Sequence, residues 1–222
     1  MRLLSATDFA PSRYPVGLAD AEVQVWYFPP TRTTTSRSGG DPRLPRLLAA
    51  YTGCDAADLR FDRGAHGKPS LRSPATLQFN LSHSGGALLV AISRDQPLGV
   101  DLESLARQRP GLELARRFFD GEEADALARL GAPRQHAAFL RLWSCKEAVV
   151  KALGQGLSFG LARLRFALDS QGWPIALNVI HASAGTPQEW QIIQLAPGVD
   201  AVGAVAWRGP ERTLRAFAVV DG

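Results

Sequence analysis

Apolar positions along the chain recur with two different periods, and the changes of period mark its elements. Val23, Val25, Trp26, Tyr27 and Phe28 form a β-rich opening run. It is followed by residues 29–46, which hold four prolines and the polar run Thr31-Arg32-Thr33-Thr34-Thr35-Ser36-Arg37-Ser38-Gly39-Gly40, a loop composition. A helix is expected to open at Asp41, whose side chain accepts backbone N–H bonds while Pro42 takes the first helical position. Leu44, Leu47, Leu48 and Tyr51 then share one face, and Gly53 ends the helix.

A strand-rich block comes next: Leu77 to Leu81, Ala87 to Ser93 and Leu98 to Leu102, separated by the turns Ser84-Gly85-Gly86 and Asp95-Gln96-Pro97. The short turns predict adjacent antiparallel strands. Asp120, with Glu123 three residues on, reads as a capping box. A long helix is expected from about Arg134 to Leu153, stopped by Gly154 and Gly156. Five short strands follow: Leu164–Leu168, Ile175–Ile180, Trp190–Leu195, Ala201–Trp207 and Leu214–Val220. Each half is strand, helix, then several strands, the outline of a pseudo-duplicated α+β protein, although no residue-level repeat accompanies it.

Composition narrows the class without changing this picture. The 222 residues are enough for one large domain or two of about 100 residues each. Apolar residues at 45% and charged residues at 21% exclude wholesale disorder and fibrous repeats. Cys54 and Cys145 stand in no metal-ligand spacing, and Met1-Arg2-Leu3-Leu4-Ser5 lacks the apolar core of a signal peptide, so a cytoplasmic protein with reduced thiols is expected. The longest apolar stretch, around Gly86 to Ile92, is far short of the roughly 20 residues a bilayer requires, and no membrane span is expected. The net charge of +4 is compatible with an acidic partner or a polyphosphate ligand. Scattered arginines with no zinc finger or helix-turn-helix pattern argue against nucleic acid.

Chemistry enters at three places. In Gly99-Val100-Asp101-Leu102-Glu103, strand alternation puts Asp101 and Glu103 on one face. Taken alone the triplet reads as a solvated strand end, but two close carboxylates repel unless a cation lies between them, and hard Mg²⁺ takes such oxygens. On the long helix, Phe139, Leu140, Trp143, Val150 and Leu153 form the apolar arc and Glu147 falls inside it. A carboxylate there must be protonated, paired or bound to metal; Lys151, one turn on, offers the plain i,i+4 pair. In Phe79-Asn80-Leu81-Ser82-His83-Ser84-Gly85, a strand runs into a glycine turn and ends in hydroxyl, imidazole and backbone N–H groups, a setting suited to phosphate oxygens.

In this order the groups resemble the 4′-phosphopantetheinyl transferase superfamily, specifically its pseudo-dimeric Sfp-type branch. The resemblance is carried by Gly67-Lys68-Pro69, the Phe79–Gly85 and Gly99–Glu103 segments, Arg117-Phe118-Phe119, and Leu142-Trp143-Ser144-Cys145-Lys146-Glu147 through Lys151 to Gly154-Gln155-Gly156-Leu157-Ser158. The pairing of D-x-E with W-x-x-K-E-x-x-x-K is far more specific than either half.

The resemblance implies two similar α/β subdomains with pseudo-two-fold symmetry, each a small mostly antiparallel sheet packed on a long helix. The halves would be 1–105, with the nucleotide side and the D-x-E strand, and 106–222, with the long helix and the carrier-protein side. It implies transfer of the 4′-phosphopantetheine group of coenzyme A to a serine of an acidic apo acyl- or peptidyl-carrier protein, releasing 3′,5′-adenosine diphosphate, by a monomer engaging its carrier transiently. Asp101, Glu103 and Glu147 would hold Mg²⁺, with Glu147 also the general base. His83 and Lys151 would contact phosphates, and Lys68, Pro69 and Ser82 would line the nucleotide side. The family's N-terminal basic helix is not matched here, and Arg37 stands as the candidate for the 3′-phosphate. Arg116, Arg117 and Arg129, near Phe118 and Phe119, are candidates for carrier docking. Two other readings use the same groups: a metal-dependent hydrolase of a nucleotide pyrophosphate, and a non-catalytic binder of coenzyme A or carrier protein.

Overall fold

The structure, a computed structural model, describes residues 1–13, 17–30, 41–73 and 76–220. In chain order the elements are β1 (Arg2–Ser5), β2 (Phe9–Ser12), β3 (Glu22–Phe28), α1 (Arg43–Thr52), β4 (Phe61–Arg63), β5 (Pro69–Leu71), β6 (Leu77–Ser84), β7 (Ala87–Arg94) and β8 (Leu98–Ser104). They continue with α2 (Gly111–Phe118), α3 (Gly121–Ala128), α4 (Ala132–Leu153), β9 (Leu164–Leu168), β10 (Pro174–Ile180), β11 (Trp190–Gly198), β12 (Ala201–Arg208) and β13 (Thr213–Val219).

The same order of elements occurs twice. Strand β3 leads into α1, the small hairpin β4–β5 and the large hairpin β6–β7; β8 leads, after α2 and α3, into α4, the hairpin β9–β10 and the large hairpin β11–β12. In each case the leading strand pairs antiparallel with the second strand of the large hairpin, β3 with β7 and β8 with β12. The duplication inferred from the hydrophobic pattern is therefore present in topology. The two large sheets run β1-β11-β12-β8 and β2-β13-β3-β7-β6. Among the described residues the parallel pairs are β1–β11, β2–β13 and β3–β13, and the other pairings are antiparallel. The parallel pairs arise because the chain ends cross over: β1 joins the sheet of β11, and β13 joins the sheet of β3.

The layers follow from which residues alternate inward. Val23, Val25, Leu89, Ala91, Val100, Leu102 and Val205 meet between the two sheets. Trp26, Leu88, Val90 and Ile92 face Leu44, Leu47 and Leu48 of α1, while α4 covers the other sheet through Leu142, Ala148 and Val149 against Ala204 and Ala206. Strand β7 is buried on both faces, which accounts for its nearly unbroken apolar run. Helix α1, at 10 residues, is much shorter than the 22-residue α4, so only the second unit has the long helix expected of both. No described helix is long and apolar enough to cross a membrane.

Strand β8 departs from the expected three-strand meander. It does not pair with β7 but forms the edge of the other sheet, beside β6. Side chains of β6 satisfy its free edge: Val100 N donates to Asn80 Oδ1 at 2.8 Å, and Ser104 N to Ser84 Oγ at 2.9 Å. Buried N–H groups need such partners, so this seam joins the sheets without a continuous ladder.

Candidate active site

The site is built on that seam, and Gly99 sets its dimensions. Gly99, Asp101 and Glu103 share the β8 face opposite Val100 and Leu102, the face that α4 covers. A Cβ at residue 99 would lie 2.1 Å from Ala148 O and 2.3 Å from Ala152 N. Only glycine admits the helix this close, and the approach brings the last turns of α4, with Glu147 and Lys151, over the two acids.

Lys151 Nζ lies 2.7 Å from Asp101 Oδ1 and 3.1 Å from both Ser82 Oγ and Val100 O. Ser82 Oγ also donates to Asp101 Oδ1 at 2.8 Å. Arg109 Nη2 bridges the Glu103 oxygens at 2.9 and 3.0 Å. Asp101 and Glu103 are buried. Burial, then the Asp101 charge, pushes the Glu103 carboxyl up against the pull of Arg109. Glu147 is pushed up to about 7, chiefly by burial and then by Asp101, with Lys151 opposing. The three acids thus act on one another electrically, and Lys151 pairs with Asp101 rather than forming the i,i+4 pair with Glu147.

A cavity of about 760 Å³ opens beside this cluster, walled in part by Lys68, Pro69, His83, Glu147 and Lys151. Ser82, Asp101 and Glu103 are not in its wall; Ser82 and Asp101 connect to it through Lys151. Lys68 Nζ donates to Leu98 O and Lys151 O, both at 2.8 Å, pinning the hairpin β4–β5 to β8 and to the end of α4. Burial lowers its pKa to about 8. His83 Nε2 stands 3.2 Å from Asp41 Oδ2, and burial pulls the imidazole down while Asp41 opposes. Arg37 lies outside the described residues.

Several residues of this architecture escaped the sequence reading. Lys146, inside the W-x-x-K-E motif, is fully buried and pairs with Glu123 at 2.6 Å, donating also to Leu161 O at 3.0 Å. Glu123 does more than cap α3, since it also accepts from Phe166 N at 2.7 Å. Arg109 gave no warning, being a loop residue in sequence, and Asp41 was read only as the cap of the first helix, which it is in accepting from Arg43 N at 2.9 Å; Gly99 did, because a glycine inside a strand marks a close approach. Of the two aromatics near the candidate docking arginines, Phe119 is buried and stacked on Phe139, while Phe118 is 39% exposed with Arg117 over its ring.

A family model described as the 4′-phosphopantetheinyl transferase superfamily matches residues 97–206, the stretch from β8 through most of β12. The chain is 33% identical over 192 residues to the 4′-phosphopantetheinyl transferase HetI of Nostoc sp., an alignment covering 85% of this chain and 76% of that protein. The chain belongs to the 4′-phosphopantetheinyl transferase superfamily. Further members similar to it are psf-1 of Bacillus pumilus, 40% identical over 134 residues, and Sfp of Bacillus subtilis, 34% identical over 134 residues. Both alignments cover 60% of this chain, and they span 56% and 58% of those relatives. Asp101, Glu103, Glu147 and Lys151 fall within the superfamily match, whereas Lys68, Pro69, Ser82 and His83 precede it.

Proposed function

We propose that this chain transfers the 4′-phosphopantetheine group of coenzyme A to a serine of an apo carrier protein, releasing 3′,5′-adenosine diphosphate. The observation that carries this is the cluster of three mutually repelling carboxylates beside a cavity large enough for a nucleotide, with Glu147 and Lys151 of that cluster in the cavity wall.

The acids also fit a hard divalent cation. Asp101 Oδ2 is buried with no hydrogen-bond partner, and the donor set is carboxylate oxygen throughout. Among the described residues no three such side chains form a group that could hold a metal as they stand, and Arg109 and Lys151 are bonded to Glu103 and Asp101. Asp101, Glu103 and Glu147 would hold Mg²⁺, which when bound neutralises charge on the coenzyme A pyrophosphate.

The chain's own groups supply the rest. The carrier serine oxygen attacks the β-phosphorus, the bridging P–O bond to the adenosine nucleotide breaks, and the serine proton passes to the Glu147 carboxylate. A carboxyl titrating near 7 is suited to that transfer at neutral pH. Lys151 and His83 meet phosphate oxygens whose charge grows in the transition state. Lys68 and Pro69 line the nucleotide side, Ser82 acts on it through its bond from Lys151, and Arg37 is assigned to the 3′-phosphate. The protein is read as a cytoplasmic monomer with halves at 1–105 and 106–222, engaging an acidic carrier transiently. Release of 3′,5′-adenosine diphosphate that requires both an apo carrier and Mg²⁺ is the expected result by chromatography. Equal breakdown of coenzyme A without a carrier would assign the site to hydrolysis instead.

A further inference from the structure

Two cations are bonded to the seam acids, and they are held differently. Lys151 stands in the last turn of α4 and donates to Asp101, Ser82 and Val100 O. Arg109 stands in the segment between β8 and α2, outside any helix or strand, and reaches Glu103 through one nitrogen, Nη2, shared between both carboxylate oxygens. Its Nε is buried with no partner among the described residues. Buried donors are seldom left so, and a guanidinium can grip a carboxylate through two nitrogens. The grip on Glu103 is therefore weaker than this side chain could make.

A second unsatisfied atom lies on the acid side, where Asp101 Oδ2 is buried without a partner. A hard divalent cation among the acids would satisfy Oδ2, and Arg109 letting go of Glu103 would free carboxylate oxygen for the same ion. The arginine has somewhere to remain. Its side chain keeps 22% of its surface exposed, and Cζ lies 5.8 Å from the ring centre of Trp143, which is itself packed against Phe119 and Phe139. An aromatic face holds a cation without using up a hydrogen-bond donor. Until an ion arrives, the contact offsets the repulsion between Asp101 and Glu103.

We propose that Arg109 is the resident counter-ion of the D-x-E strand: it holds Glu103 until a divalent cation takes its place, and so competes with that cation for the site. This rests on reading Asp101, Glu103 and Glu147 as the metal-binding acids. The contact keeps the acids together in the metal-free chain at the expense of metal affinity.

The test is titration of the full chain with Mn²⁺, a hard ion of the same oxygen preference as Mg²⁺, with free Mn²⁺ read from its paramagnetic resonance signal. Arg109→Gln is expected to bind the ion about fivefold or more tightly than the wild-type chain, because no contact to Glu103 has to be broken. In chelator the same variant should melt lower than wild type, since a buried carboxylate has lost its partner, and added Mn²⁺ should raise its melting temperature by more. Arg107→Gln, which removes a nearby charge but no bond to Glu103, should change affinity less than about twofold. Should Arg109→Gln not fold, Arg109→Lys decides: it keeps the charge without the flat face that lies over Trp143, and should bind Mn²⁺ about twofold more tightly than wild type. Equal or weaker binding in the Arg109 variants overturns the proposal and gives Arg109 the opposite task of orienting Glu103 for the metal. An effect of Arg107→Gln as large as that of Arg109→Gln also overturns it. Either result leaves the acids as metal ligands, whereas a wild-type chain that takes up no Mn²⁺ overturns both readings.

Discussion

Lys151 Nζ lies 2.7 Å from Asp101 Oδ1 across the seam between the sheets. The contact ties the last turn of α4 to the D-x-E strand, and it leaves Glu147 near two other carboxylates with no cation paired to it among the described residues. Much of the expected behaviour follows from that division of charge.

Glu147 makes the first prediction. Its folded pKa, about 7, is raised above the ordinary 4.5, chiefly by burial. The folded state therefore holds a proton that the unfolded state gives up, and stability is lost as pH rises from 4.5 through about 7. The full gap corresponds to on the order of 3 kcal/mol. With divalent cations chelated, the wild-type chain should lose stability across this window, whereas Glu147→Gln should lose clearly less, the remainder coming from the raised Glu103 and Glu123 carboxyls. Denaturant unfolding at several pH values decides it, and parallel curves for the two proteins would refute the assignment.

Gly99 makes the second. Its missing Cβ would collide with two backbone atoms of α4, which cannot move aside as a side chain can. Gly99→Ala should destabilise by about 2–4 kcal/mol or push the helix off the strand. In either case Glu147 and Lys151 separate from Asp101, so transfer should fall further than stability alone accounts for. Thermal unfolding alongside a turnover assay separates the two losses.

The buried Lys146–Glu123 pair gives a contrasting expectation. Burial pushes the Glu123 carboxyl up and the Lys146 ammonium down, each opposed by the other's charge. Lys146→Ala strands a buried carboxylate and should cost about 3–5 kcal/mol. Lys146→Met combined with Glu123→Gln should recover part of that loss in urea unfolding. Recovery of fold with near-normal turnover in the double variant would place Lys146 in the structure and outside the chemistry.

At the seam, Asn80→Ala removes the acceptor for Val100 N, which then has no ladder partner on that side. A loss of about 1–3 kcal/mol is expected, with faster hydrogen exchange confined to the β6–β8 region. Exchange unchanged at Val100 would mean that the sheets are joined by packing alone.

How much of this could be read beforehand depends on what local pattern encodes. The α4 face showed Glu147 in an apolar arc, and strand alternation put Asp101 and Glu103 together; both are short-range periodicities. The duplicated strand, helix and hairpin order was visible for the same reason. Pairing across long separations was not: β1 with β11 and β13 with β3 leave no mark in their own sequences, since an apolar strand does not name its partner. The β8 edge was misassigned because the tight Asp95-Gln96-Pro97 turn resembles a hairpin, while the side chains of Asn80 and Ser84 that occupy the edge act across 20 residues. Arg109 was invisible because a loop arginine acquires a role only from what surrounds it.

The most direct measurement is the intact mass of an apo carrier protein incubated with coenzyme A, Mg²⁺ and either the wild-type chain or Glu147→Gln. The wild-type chain should add one phosphopantetheine group to the carrier, and Glu147→Gln should add none while remaining folded. An unmodified carrier with the wild-type chain, or full modification by Glu147→Gln, would contradict the mechanism built on that carboxylate.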